Sequence, residues 1–218
     1  MIRSGNAWSV GPWIRPVASQ DGGEVSVPLM RKALGREPQL LEILEIPLAR
    51  PAPIPDQPEN WLFHPGTWKS VGRMNFDDLP RLHDHPDDLW GTHLRQLEAG
   101  SPLRLKQPAS LFLIQPEIIW PIRVWAEETI GAQGQAYVRH RRRVSLRYCC
   151  SSHEFDVTDP QLQARYYPNL PAKHEPGLTI LLREPGRTTV CVSLTQAWQG
   201  RHYKLAAAFF EPPEVAKT

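Results

Sequence analysis

Residues 137–160 read YVRHRRRVSLRYCCSSHEFDVTDP, and the fold turns on how this stretch is parsed. Val144, Leu146 and Tyr148 alternate with Arg143, Ser145 and Arg147, the period of two that a half-buried β-strand requires. HEFDVTDP then reads as a second strand. It runs into QLQARYY, a short helix with Asp159 as its cap and Pro160 at its first position, where a missing N–H costs nothing. Five arginines and one histidine fall in residues 137–148 with no acid among them. Successive side chains on a strand face opposite sides, so Arg139, Arg141, Arg143 and Arg147 share one parity with Ser145. Val138, Val144, Leu146 and Tyr148 share the other with His140 and Arg142. The apolar set must face a core. His140 and Arg142 have inward parity, which is costly in a sealed core, and are expected where the strand outruns it.

Working outward, LFLIQPEIIWPIRVW precedes the arginine strand, and TTVCVSLTQAW and HYKLAAAFF follow the helix. Three strands, a helix and two strands are the succession of a five-stranded OB-type barrel, although other small β-barrels share it. The expected class is all-β with short helices. The 23 prolines, against a usual share of about 5%, favour short elements and stiff turns over long helices. In the first half, GPWIRPV reads as a strand. QLLEILEIPL fits strand or helix, with a strand ending at Pro47 preferred. ARPAPIPDQPEN is expected to be an extended polyproline-like linker. NFDDLPRLHDHPDDLWGTHLRQLEAG is expected to hold one or two short helices, capped by Asn75 or Asp77 and closed by Gly100.

Charge divides unevenly: residues 1–103 hold 10 Lys+Arg against 13 Asp+Glu, and residues 104–218 hold 15 against 10. A polyanion should prefer the second half. Hydrophobic residues at 41% and charged residues at 22% exclude wholesale disorder. Pro116 and Pro121 interrupt the most apolar segment, so no membrane span is expected. Three cysteines are an odd number, and MIRSGNAWSVGPW has no apolar leader core, so a reducing cytoplasm is expected.

Signatures of catalysis are few. Cys149, Cys150 and His153, with Cys191, have the residue types of a zinc site, but adjacent strand cysteines point to opposite faces. The run HDHPDD, with His83, Asp84, His85, Asp87 and Asp88, could serve a metal-dependent nuclease and is better explained as a solvated helix cap. No G-x-S-x-G, Walker A or G-x-G-x-x-G occurs. A non-enzymatic protein without metal or cofactor is expected.

Binding is the stronger reading. Alternate strand positions lie about 6.7 Å apart, near the phosphate spacing of an extended single strand. Arginine forks suit phosphates and stack on bases. The candidate surface is Arg139, Arg141, Arg143 and Arg147, with Tyr148, Trp198, Tyr203 and Lys204 beside them and Trp13 with Arg15 extending it. The expected partner is single-stranded DNA or RNA. The alternatives are an acidic protein docked on the arginine strand by an adaptor subunit, or a charged edge that only blocks aggregation.

Several phrases resemble the bacterial dual OB-containing domain family: GPWIRPV, LLEILEIPLARPAP, QPENW, HPGTWKSVGR, DDLWG, FDVTDP, VSLTQAW and YKLAAA. They span nearly the whole chain. The resemblance implies two OB-like β-barrels, in roughly residues 1–103 and 104–218, and a setting in bacterial conflict or defence as a module of a larger complex. It supplies no catalytic residues. Two departures stand out. Only twelve residues precede Trp13, so the first barrel is expected to be incomplete or completed by another chain. CCSS replaces a glycine turn, which leaves the tip at Ser151 and Ser152 open.

Overall fold

A computed structural model describes residues 2–4, 7–91, 93–131 and 133–214. It divides the chain into two compact units, residues 1–83 with 108–111, and residues 84–107 with 112–218. The division expected near residue 103 falls at 83. Residues 84–107 belong with the second unit because their strand joins its main sheet, as described below.

In the first unit, β1 (Ile2–Ser4) pairs with β2 (Ala7–Ser9). β3 (Arg15–Val17) lies parallel to β6 (Asn60–Phe63), which is antiparallel to β5 (Leu48–Pro51). β4 (Glu42–Glu45) pairs with β7 (Lys69–Arg73). The strand reading of residues 42–45 and the GPWIRPV strand therefore both hold. The proline-rich stretch is not a free linker. Its ends are the two strands of a hairpin, turned at Pro55–Asp56 by bonds between Ile54 and Gln57. Proline followed by aspartate is favoured at the centre of a tight turn, and that local chemistry overrides the polyproline tendency. Buried Asn60 bonds Gln57 beneath the turn.

α1 (Val27–Leu34) and β7 are among the elements of this unit that lie outside the sequence reading. α1 has a proline in its first turn and ends on left-handed Gly35, whose N–H bonds Arg31 O. β7 is exposed along its length, so it carries no alternation to be read. The expected helical stretch shrinks to one 3₁₀ segment, Phe76–Leu82, with Asn75 at its cap position but no side-chain bond. Pro80 and Pro86 leave too few free N–H groups to extend it.

The second unit is built on one sheet. β8 (Gln96–Glu98) and α2 (Pro102–Lys106) come first. Then follow β9 (Leu111–Ile114), β10 (Ile118–Ile119) and β11 (Ile122–Ile130), one run interrupted at Pro116 and Pro121. β12 (Ala136–Tyr148), β13 (Ser151–Val157), α3 (Pro160–Tyr166), β14 (Leu178–Ile180), β15 (Thr189–Leu194) and β16 (Arg201–Phe210) complete it. The ladder runs β14-β11-β12-β13-β16-β15-β9, with β8 on β16. β13 and β16 are parallel. If the β9–β11 run is counted as the first strand, the order is first, second, third, fifth, fourth and back to the first run. The helix lies between third and fourth, as the sequence predicts.

The core of this unit is the inward set of those strands. Ile122, Val124, Val144, Leu146, Phe155, Val190, Val192, Leu194 and Ala206 are all sealed from solvent. α3 is held as predicted: Asp159 accepts from Gln161 N at 2.8 Å and Leu162 N at 3.1 Å, and its other oxygen accepts from Phe209 N at 2.8 Å.

The turn between β12 and β13 is two residues long, since Tyr148 pairs with Ser151. Ser151 and Ser152 thus belong to the strand. Cys149 and Cys150 form the tip with φ of 46° and 62°, free and exposed. Two left-handed residues match the right-handed strand twist, a position that Asn-Gly fills without a β-carbon penalty. Replacing Cys149 by Asn and Cys150 by Gly is expected to stabilise the protein by about 1–2 kcal/mol. A urea unfolding midpoint that stays put would show that the turn carries no such strain.

Candidate nucleic-acid interface

Register places the arginines. Arg143 lies opposite Arg123 on β11 and Asp156 on β13, and Arg141 lies opposite Trp125. Directly paired residues share a sheet face. Arg123, Trp125, Glu127, Arg139, Arg141, Arg143, Arg147 and Asp156 therefore form one outer surface, opposite the core set. The parity division made from the sequence holds for Val144, Leu146 and Tyr148, which are buried. It fails for Val138, which is 45% exposed. β13 covers β12 only from Arg143 to Tyr148, so the first half of the strand pairs with β11 alone, and Val138 lies near its open end. His140 and Arg142 lie in that uncovered half, as expected. They are half-buried, and His140 Nε2 is 3.1 Å from Pro171 O.

The arginines are not a free ladder. Glu127 accepts from Arg141 Nε, and Glu117 is 3.1 Å from Arg147 Nε. Asp156 accepts from Arg95 Nη1 at 2.9 Å through one oxygen. Its other oxygen is 3.5 Å from Arg143 Nε, but the two atoms are not aligned for a hydrogen bond and have no other partner. Arg123 and Arg139 have no carboxylate partner among the described residues. The run without acids in the sequence gains its acids from neighbouring strands. The result is a mixed-charge face of modest net positive charge.

Aromatic rings interleave with these charges. The Arg143 guanidinium lies 5.1 Å from the centre of the half-buried Trp125 ring, and Arg95 lies 5.9 Å from that of Tyr203. Tyr203 in turn is 6.4 Å from Trp198. Trp198 is 60% exposed. It sits at the tip of the β15–β16 hairpin, where its N–H and C=O bond Arg201 around the left-handed pair Gln199–Gly200. The bond from Arg141 holds the Glu127 carboxyl below its ordinary value, with the Trp125 side chain nearby adding to the effect. At Gly177 a β-carbon would lie 3.0 Å from Val124 O and 3.2 Å from Trp125 Cβ, so a larger residue there would press on the β11 backbone that carries Trp125.

Four candidates from the sequence do not belong to this surface. Lys204 has inward parity and 0% exposure. Its Nζ donates to Gly91 O at 2.8 Å and lies 5.0 Å from the Phe155 ring centre. Burial lowers its pKa to about 7, against the opposing pull of Asp88 and Glu154. Tyr148 is buried, and burial pushes its hydroxyl up to about 12. Arg15 belongs to the first unit, where it pairs with the mostly buried Glu59 at 2.9 Å and bonds Ser110 Oγ at 3.1 Å. Its charge holds structure together. Trp13, half-buried, is in the same unit and not on this sheet.

Sequence reasoning missed Trp125 and Arg95. Trp125 was legible, since Arg123 and Trp125 alternate with Ile122 and Val124. Arg95 was not, because it lies in irregular chain just before β8 and is brought to Asp156 and Tyr203 by the pairing of β8 with β16 and the bond of Lys204 N to Arg95 O.

The face has the layout expected of an OB fold, whose oligonucleotides lie across the second and third strands and the loops joining strands 1–2 and 4–5. The profile of the dual OB-containing domain family matches residues 3–209. The chain belongs to this family. No curated protein and no solved structure matches it. As a dual OB protein it is all-β with short helices, and its fold is compatible with nucleic-acid binding. Among the described residues no three His, Cys, Asp or Glu side chains converge to hold a metal, and no helix is long and apolar enough to cross a membrane. Asp84 instead bonds Leu113 N at 2.8 Å and Asp88 bonds Gly91 N at 2.6 Å, so two acids of the HDHPDD run pin backbone.

Proposed function

We propose that this dual OB protein binds single-stranded nucleic acid on the outer face of β11, β12, β13 and β16. It does so as a non-enzymatic, cytoplasmic module of a bacterial defence assembly, the setting implied by the family resemblance. The observation that carries the reading is a pair of arginine–aromatic stacks on one sheet face, Arg143 with Trp125 and Arg95 with Tyr203, extended by the exposed ring of Trp198. Bases stack on such rings whatever their identity, while Arg123 and Arg139 supply phosphate contacts. Lys204, Tyr148, Trp13 and Arg15 have no part in it.

Stacking contributes about 1–3 kcal/mol per base, so Trp125→Ala and Trp198→Ala should each weaken binding of a labelled single strand by roughly 5- to 150-fold. Fluorescence anisotropy reads the affinity directly. Unchanged affinity in both variants would remove the stacking surface. An acidic protein partner, the rival reading, finds most of these arginines already occupied by carboxylates. A stoichiometric acidic partner lost in Arg139→Glu, with no oligonucleotide bound, would restore that reading.

A further inference from the structure

We propose that the face selects RNA over DNA through a carboxylate placed among its rings, with Glu127 accepting a hydrogen bond from a ribose 2′-hydroxyl. This rests on the nucleic-acid reading above. A phosphodiester carries acceptors and no donors, so carboxylates beside it are repulsive and without use. A face made only to hold phosphates would leave its arginines free. Here Arg141, Arg143, Arg147 and Arg95 each lie against an acid, and the acids stand next to the rings. Glu127 stands two residues along β11 from Trp125 on the same face, and Asp156 lies between Arg143 on Trp125 and Arg95 on Tyr203.

A carboxylate accepts about four hydrogen bonds, and the contact from Arg141 leaves Glu127 with capacity to spare. Glu127 stays ionised at neutral pH, since its pKa is lowered. The sugar of a base stacked on Trp125 is one glycosidic bond from that base, and its 2′-hydroxyl is a donor that deoxyribose lacks. That hydroxyl is the group by which proteins tell the two nucleic acids apart.

The test compares three single strands of one sequence by anisotropy: RNA, DNA and 2′-fluoro RNA, which keeps the RNA-like sugar pucker without the donor. A hydrogen bond to a charged acceptor supports an expected preference of about tenfold for RNA over both others. With two unpaired arginines the salt slope should be shallow, near −1.4. Glu127→Gln, checked for native circular dichroism, should reduce the ratio of RNA to DNA affinity severalfold. Equal binding of all three strands, or tighter DNA, overturns this inference and leaves single-strand binding standing. RNA and 2′-fluoro RNA bound alike, both above DNA, would assign the preference to pucker and also overturn it. Binding of none of the three overturns the reading beneath it.

Discussion

Raising the pH from 7 towards 10 is expected to stabilise the protein, and Lys204→Met is expected to flatten that rise. Lys204 is sealed in the core, and burial lowers its folded pKa from 10.5 to about 7. The Phe155 ring and the charges of Asp88 and Glu154 favour the ammonium form, but desolvation outweighs them. Between about 7 and 10.5 the unfolded chain therefore holds a proton that the folded chain has released. Stability rises with pH wherever the unfolded state binds more protons, with a slope of up to about 1.4 kcal/mol per pH unit for one group. Below 7 both states are protonated and the penalty is felt in full. His153, 1% exposed, has its pKa lowered by burial and by Lys204, so it adds a rise of the same sign that ends near 6.5. Urea unfolding at pH 7, 8, 9 and 10 separates the two groups. An identical slope in wild type and Lys204→Met would show that the lysine does not titrate in this window. Methionine keeps the length and apolar stem, and Gly91 O keeps the bond from His153 Nδ1 at 3.0 Å.

Asp159→Ala should cost about 3 kcal/mol, through two separate losses. Removing a helix N-cap costs about 1 kcal/mol. Leaving the buried Phe209 N–H without a partner costs about 1–3 kcal/mol more. One carboxylate thus fastens α3 at its start and β16 near its end. Asp159→Asn keeps one acceptor but cannot accept on both sides, and should lose roughly half as much. Urea denaturation of the two variants gives the ratio. If alanine and asparagine cost the same, the cap contributes little and the β16 bond carries the effect.

The legibility of this protein follows how local each cause is. The helix at 160–166 could be read because its cap, its first-position proline and its short run all lie within eight residues. The strand at 136–148 could be read because period two is a property of neighbours. The hairpin at 48–63 was misread because extended polyproline and a β-strand look alike locally, and only the pairing of β5 with β6 separates them. Val138 was misplaced because alternation says which side a residue faces and not whether anything covers that side.

The same limit governs the site. The sequence by itself determined that four arginines share one face of a strand and that Val144, Leu146 and Tyr148 hold the strand on a core. It did so because side-chain direction on a strand depends only on odd or even position. Only the tertiary structure decided what those arginines meet. Glu127 and Asp156 reach Arg141 and Arg143 from other strands and Glu117 reaches Arg147 from the bend before β10, Trp125 and Tyr203 lie beside them, and Lys204 turns inward to the Gly91 carbonyl. Partners that come together across a sheet are set by register between segments far apart in the chain, and charge and stacking act through space at distances that sequence order does not record.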